Sequence, residues 1–128
     1  MSRTNETLRE SMSQVVTPSD FSYAIKNFLD RFKVNPNPAL LLEEPELLSP
    51  SLQDGGYADA FVASTAAYLC QVHTLEAPQW VNKKETRVMP EPWFAAKSPN
   101  MKAILLQESP AAFRVRNLFV SANALSRA

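Results

Sequence analysis

The sequence predicts a mainly α-helical protein that folds as a single compact domain. Only two glycines occur, Gly55 and Gly56, and they are adjacent, whereas an all-β chain of 128 residues needs several glycines for hairpin turns with positive φ. Five of the ten prolines follow a short polar residue, which is a position typical of helix starts. The length suits one ordinary domain and is too short for two.

Five dipeptides predict helix starts, because a short polar residue caps the free N–H groups and a following proline has the φ angle of the first helical turn. After Thr17, the apolar residues recur at the spacing of one helix face, so we expect a long amphipathic helix there. The five dipeptides are Thr17-Pro18, Asn37-Pro38, Ser49-Pro50, Ser98-Pro99 and Ser109-Pro110, and the apolar face after Thr17 comprises Phe21, Ile25, Phe28, Leu29 and Phe32.

A second long helix is predicted from about Asp54 to His73, where alanines favour helix by propensity. Shorter helices are expected around Ala39–Glu44, after Ser98 with Met101, Ile104 and Leu105 on one face, and after Ser109. The whole chain would then contain about five to six short-to-medium helices. The face predicted to be buried in the second long helix comprises Ala58, Phe61, Val62, Thr65, Tyr68, Leu69 and Val72.

The polar N-terminus and the proline-rich region after Leu75 interrupt the helical pattern. Residues 1–16 are predicted to form a polar helix or arm, since Thr7 and Glu10 are spaced as a capping box and Leu8, Met12, Val15 and Val16 permit an amphipathic helix. Residues 17–128 form the single helical domain. The region 75–97 reads as an irregular segment rich in Trp and Pro, which allows a small β-hairpin between Trp80-Val81 and Arg87-Val88-Met89. Leu118, Phe119 and Val120 read as extended.

Charge and cysteine content exclude several classes of function. Thirteen basic and thirteen acidic residues give a net charge of zero, so the chain lacks the positive field that non-specific nucleic-acid binding needs. One cysteine excludes an intramolecular disulfide and fits a reducing compartment, so we expect a cytoplasmic protein. Neither a membrane-spanning stretch nor the apolar core of a signal peptide is present, so no membrane association is expected.

The search for catalytic motifs returns little. No phosphate-binding glycine loop, nucleophile elbow or HExxH motif occurs, and no cofactor is predicted. Cys70 and His73 are three residues apart and could share one helix face, but a buried structural cysteine and a histidine in a last helical turn explain them better. A metal site that included Glu76 would have no second His or Cys, so no metal is predicted.

Two groups of residues are candidates for contact with a protein partner. Arg114 and Arg116 could each anchor a carboxylate of an acidic partner, or could serve as surface ion pairs and dipole compensation. Trp80, Trp93 and Phe94 could form an exposed patch, because aromatic side chains dominate interface hot spots. Core anchoring of the irregular segment is the stronger interpretation for these aromatic residues.

The chain from about residue 17 onward resembles an uncharacterised bacterial domain family. The resemblance rests on the segments APQWV at 77–81, PEPWF at 90–94 and ESPAAFRVRNLFVSANALSRA at 108–128, which are similar to the family's "aPxW", "xPWF" and "ESPaaFrxRnlFvxxxxLsra" patterns. It spans about residues 17–128 and is most specific over the last twenty. Many members carry this region after an Xre-type helix-turn-helix domain, in genes that look like toxin–antitoxin components.

The resemblance implies a regulatory or partner-facing domain. About sixteen residues precede Thr17, too few for a helix-turn-helix domain, so we do not carry over the DNA-binding role of the longer relatives. The positions that match the family pattern are Trp80, Trp93, Phe94, Phe113, Arg114, Arg116, Asn117 and Phe119, and they could either contact a partner or hold the domain together. The six residues that we predict to bind a partner are Arg114, Arg116, Asn117, Trp93, Phe94 and Trp80.

Our first hypothesis is a non-catalytic protein-interaction or regulatory module that is antitoxin-like and binds a protein partner. One alternative is a small enzyme or nuclease-like toxin component, with a site assembled around Arg114, Arg116 and His73. Another is a DNA-binding regulator that acts through a local basic patch, for which Arg3, Arg9, Lys83, Lys84 and Arg87 are the candidates. The sequence does not predict the oligomeric state.

Overall fold

The fold is mainly helical, in a computed structural model that describes residues 6–121 and 123–125. The prediction of a mainly α single domain is confirmed. The described residues form seven α-helices, two 3-10 helices and one pair of short strands, and none of these helices is long and apolar enough to span a membrane. The α-helices are α1 (Leu8–Met12), α2 (Pro18–Val34), α3 (Ser49–Leu52), α4 (Tyr57–Val72), α5 (Lys84–Arg87), α6 (Pro99–Glu108) and α7 (Ala111–Arg114), the 3-10 helices are Pro38–Leu41 and Gln79–Asn82, and the strands are β1 (Trp93–Phe94) and β2 (Leu118–Phe119).

Three of the five polar-proline dipeptides start helices as predicted. The Thr17 hydroxyl accepts a hydrogen bond from the Asp20 N–H at 3.1 Å, and the Asp20 carboxylate accepts one from the Thr17 N–H, which completes a capping box at the start of α2. Ser98 caps α6 in the same position, through the N–H of Met101. Asn37 also acts as an N-cap, but the turn it starts is a 3-10 helix.

The other two dipeptides serve different purposes. Ser49 is the first residue of α3, whose free N–H groups are satisfied from α4: the Asp59 carboxylate accepts from the N–H groups of Leu48 and Ser49 at 2.6 and 3.1 Å. Ser109 is buried and does not cap α7. Its hydroxyl lies 2.7 Å from the carbonyl oxygen of Leu105 and accepts from the N–H of Val120, so it joins the end of α6 to the segment after β2.

Helix α4 is the centre of the fold. It packs against α3, α5, α7 and the 3-10 helix Gln79–Asn82. The prediction that a single stripe is buried is wrong in part, because the helix is covered on most sides and Val72 is 48% exposed. The Ser64 and Thr65 hydroxyls donate to carbonyls one turn earlier, which lets these polar residues be buried. The buried residues of α4 are Ala58, Asp59, Ala60, Val62, Ala63, Ser64, Thr65, Ala66, Leu69 and Cys70.

Helix α2 buries the aromatic face that the sequence predicts, namely Phe21, Ile25, Phe28, Leu29 and Phe32. Helix α1 packs across it, and the Arg31 guanidinium of α2 donates to the Ser11 hydroxyl at 2.7 Å and pairs with Glu6. Leu8 and Met12 of α1 are buried in the common core, together with Val15. Val16, which was expected on the same face, is exposed.

The predicted β-hairpin is wrong. Trp80 and Val81 lie in a 3-10 helix and Arg87 ends α5, so the two segments do not pair as strands, although Val88 itself is extended. Instead β1 pairs in parallel with β2, with Trp93 opposite Leu118 and Phe94 opposite Phe119. The extended conformation predicted for Leu118 and Phe119 is confirmed, but their partner strand lies 25 residues earlier.

A buried arginine connects α4, α5 and the loop before α3. The Arg87 side chain is fully buried, and its guanidinium donates to the Glu44 carboxylate at 3.0 and 3.1 Å and to the carbonyl oxygen of Pro45. It also lies 3.7 Å from the Asp59 carboxylate and stacks over the Trp80 ring. A buried charge of this kind is tolerated because each side of it meets an acceptor or an aromatic face.

Removal of the Arg87 side chain should therefore destabilise the fold strongly. We expect Arg87→Ala to lower the free energy of unfolding by about 3 kcal/mol, because Asp59 and the Pro45 carbonyl lose their buried cationic partner. Urea unfolding followed by circular dichroism measures this, with Lys84→Ala on the exposed side of α5 as the control. A loss below about 1 kcal/mol would contradict the role assigned to Arg87.

The two carboxylates of this cluster respond to pH in opposite ways. Partial burial raises the pKa of Glu44, but the hydrogen bonds and charges of Lys83 and Arg87 outweigh it, so the pKa lies below its ordinary value of 4.5. Burial raises the pKa of Asp59 above its ordinary value, despite the N–H groups of Leu48 and Ser49. Ionisation of Glu44 therefore stabilises the folded state, whereas ionisation of Asp59 does not.

The contribution of Glu44 should be complete above its unfolded pKa of 4.5 and should disappear as the pH falls through its lower folded pKa. We expect Glu44→Gln to be less stable than the wild type at neutral pH and the difference to shrink below about pH 4.5. Urea unfolding at a series of pH values tests this, with Glu43→Gln at the exposed neighbour as the control. A difference that is independent of pH would show that the Glu44 charge is not the stabilising group.

Candidate functional site

Two of the six predicted partner-binding residues lie inside the protein. Trp80 is 6% exposed and its indole N–H donates to the carbonyl oxygen of Leu41 at 2.9 Å. Arg116 is 4% exposed, and its guanidinium donates to the carbonyls of Val81 and Ala112 at 2.6–3.0 Å. Both side chains are thus turned away from solvent and hold backbone segments together.

Asn117 and Trp93 are half-buried and also have structural contacts. Asn117 has a φ of 63°, and its side-chain amide donates to the carbonyl of Met89 at 2.8 Å. Its own carbonyl accepts from the N–H of Trp93, whose ring packs 4.5 Å from that of Tyr57. Asparagine tolerates this left-handed conformation better than most residues, so position 117 is suited to the turn that leads into β2.

Phe94 and Arg114 remain accessible at the surface. The Phe94 ring is half-buried, stacks on Phe119 at 4.9 Å and carries the Lys102 ammonium group on one face at 5.3 Å. Arg114 is exposed, and it donates one hydrogen bond to the carbonyl of Ser109 at 2.9 Å. A guanidinium held by one such bond retains donors for a carboxylate of a partner.

The residues proposed for an enzymatic site are not brought together by their contacts. His73 ends α4 and packs edge-on against Phe32, whereas Arg116 binds backbone around Val81 and Ala112. Burial raises the pKa of the Cys70 thiol, which makes the nucleophilic thiolate scarcer at neutral pH. Over residues 6–121 and 123–125, no group of three or more His, Cys, Asp or Glu side chains is arranged to hold a metal ion.

The predicted basic patch is largely paired with acidic groups. Lys83 donates to Glu44 at 2.5 Å, Arg87 is buried against the same carboxylate, and Arg9 lies 4.0 Å from Glu46. Lys84 is exposed, and Arg3 lies outside the described residues. These contacts reduce the positive potential that phosphate binding would need.

The structure reveals an apolar surface that the sequence did not predict. Only Leu105 of α6 is buried, while Met101, Ile104 and Leu106 are 45–49% exposed. Met101 and Ile104 are three residues apart and so lie on one side of the helix, and we call these two side chains the α6 surface. Helix α6 contacts β2. The sequence groups Met101 and Ile104 with Leu105 as the apolar residues of this helix, but it does not show that the first two are exposed.

A pocket between α2 and α4 is the second feature of interest. It has a volume of about 350 Å³ and an apolar wall from Phe21, Ile25 and Leu29 of α2 and from Tyr57 and Phe61 of α4. Ser22, Lys26 and Asp54 supply its polar lining, and Pro18, Leu52 and Ala124 complete it. We call it the α2–α4 pocket. It is not predictable from the sequence, because the residues of its wall were expected to be packed core.

Comparison of the chain with protein-family models, with curated proteins and with solved structures finds no match. Function must therefore be inferred from the α6 surface, the α2–α4 pocket and the residues around them.

Arg114 and Arg116, two residues apart, should respond very differently to substitution. We expect Arg116→Ala to lower the free energy of unfolding by about 2 kcal/mol, because the buried carbonyls of Val81 and Ala112 lose their donor. Arg114→Ala should change it by less than about 1 kcal/mol, since Arg114 is exposed. Urea unfolding of both variants checks this, and equal effects would contradict the separation of roles.

Proposed function

We propose that this protein is a non-catalytic interaction module that binds an acidic, apolar segment of a protein partner on its α6 surface. The observation that carries the proposal is the exposure of Met101 and Ile104 on one side of a ten-residue helix. Exposed apolar side chains that lie together are typical of protein-interaction sites. Met101 and Ile104 are one turn apart, so their side chains are neighbours on the helix.

The charge around α6 favours an acidic partner. Residues 97–116 contain four basic side chains and one acidic side chain, and Lys97 and Arg114 are exposed. Lys102 of α6, whose ammonium group lies over the Phe94 ring, is a third cation of this region. Cations that surround an apolar centre would orient carboxylates at the rim of a docked segment and raise its association rate.

The antitoxin-like role is the part of the proposal that rests on the resemblance of residues 77–128 to the bacterial family described above. A protein with this role acts by binding and needs no catalytic site. This fits the separation of His73 from Arg116 and the raised pKa of the Cys70 thiol. The single cysteine fits a reducing compartment, and we assign the protein to the bacterial cytoplasm as part of the same proposal.

Substitution on the α6 surface should abolish partner binding without unfolding the protein. We expect the wild-type protein to capture one dominant protein from a lysate of the source organism. The purified partner should bind Ile104→Glu and Arg114→Glu at least tenfold more weakly than the wild type, because each change places a negative charge against an acidic, apolar segment. Affinity capture with mass spectrometry followed by calorimetry on the purified pair measures this.

The control is Val72→Glu, which places the same charge at a 48% exposed apolar position on α4. It should bind like the wild type, and circular dichroism should show all three variants folded. A captured partner that binds Ile104→Glu as tightly as the wild type, or that depends equally on Val72, would overturn the α6 surface as the docking site.

A further inference from the structure

The α2–α4 pocket has the construction of a small-ligand site. Its volume of about 350 Å³ falls within the range of about 300–1,000 Å³ that is usual for such sites. Phe21 meets Tyr57 and Phe61 edge-on, with ring centres 6.4 and 5.8 Å apart. These three rings form a wall that belongs to the two longest helices, so the pocket is shaped by rigid elements.

The aliphatic side of the pocket comes from one face of α2. Ile25 and Leu29 follow Phe21 at intervals of four residues, so the three side chains line successive turns of the helix. Leu52 of α3 adds a further apolar group. An apolar chain or ring that entered the pocket would therefore contact carbon atoms on both sides, which is the main source of affinity in such sites.

The polar lining carries two opposite charges, and these differ in their contacts. Asp54 keeps its negative charge but is held by the protein, because its two carboxylate oxygens accept hydrogen bonds from the N–H groups of Gly56 and Ala58, each at 3.0 Å. Lys26 is exposed and has no hydrogen bond or ion pair with any residue in the described part of the chain. The ammonium group of Lys26 is therefore the charge that a ligand can approach beside the apolar wall.

The phenol of Tyr57 does not add a competing negative charge. Burial, with the nearby Asp54 carboxylate, raises the pKa of Tyr57 above its ordinary value of 10.0, so its hydroxyl stays protonated at neutral pH. A neutral hydroxyl can donate a hydrogen bond to an anion.

We propose that the α2–α4 pocket binds a small apolar monocarboxylate, with the ring or chain against Phe21, Leu29 and Phe61 and the carboxylate toward Lys26. The inference is independent of the α6 surface, which lies on a different helix. The occupant is defined by its chemistry: one negative charge at the end of a hydrocarbon body.

Three probes with the same body test the proposal: 3-phenylpropionate, 3-phenylpropanol and 3-phenylpropylamine. Titration of the ¹⁵N-labelled protein, followed by NMR, should show chemical-shift changes at the residues that line the pocket. We expect the carboxylate to bind at least fivefold more tightly than the alcohol, and the amine most weakly. Equal affinities, tighter binding of the amine, or shifts confined to other surfaces would overturn the assignment.

Lys26→Met separates the charge from the apolar contacts. It should reduce the affinity for 3-phenylpropionate to that for the alcohol and leave the alcohol's affinity unchanged, while Lys33→Met, an exposed lysine later on α2, should change neither. Ile104→Glu should also bind the probe normally, so failure of the α6 proposal and failure of this one are distinguishable. Retention of full carboxylate affinity in Lys26→Met would refute the role of Lys26.

Discussion

The fold depends on a buried guanidinium that joins segments far apart in the sequence. Arg87 lies between the Glu44 carboxylate, the Pro45 carbonyl and Asp59, with Trp80 beneath it. Helices α3 and α5 have four residues each, too few to be stable alone, so their positions must be fixed by tertiary contacts. Asp59 fixes the position of α3 by accepting hydrogen bonds from the N–H groups at its start. Arg87 fixes the position of α5 by its hydrogen bonds to Glu44.

Arg116 has a comparable role at the other end of the chain. The proline-rich segment between α4 and α6 has few helical hydrogen bonds of its own, and it is attached to the C-terminal part by long-range donors. Arg116 reaches Val81, Asn117 reaches Met89, and β1 pairs with β2. Trp80, Arg116 and Asn117 thus satisfy backbone carbonyls that burial would otherwise leave unpaired.

The sequence predicted the features that depend on local spacing and missed those that depend on distant partners. Thr17 and Ser98 were recognisable as caps, and the aromatic face of α2 was readable from its period, because a helix brings residues four apart onto one side. The parallel pairing of β1 with β2, the linking role of Ser109 and the burial of Arg116 all arise from contacts across at least 11 residues. An arginine in a sequence shows its charge but not the place where its side chain ends, so the sequence does not reveal which of Arg114 and Arg116 is buried.

The exposure of α6 follows from the way the other helices pack around α4. Because α4 is covered by α3, α5, α7 and a 3-10 helix, little of its surface remains for α6, which contacts β2 and buries only Leu105. The exposure of Met101, Ile104 and Leu106 brings no stability to the monomer through burial. Burial of Met101 and Ile104 against the proposed partner would instead stabilise the complex, which is why we place the proposed docking site on this helix.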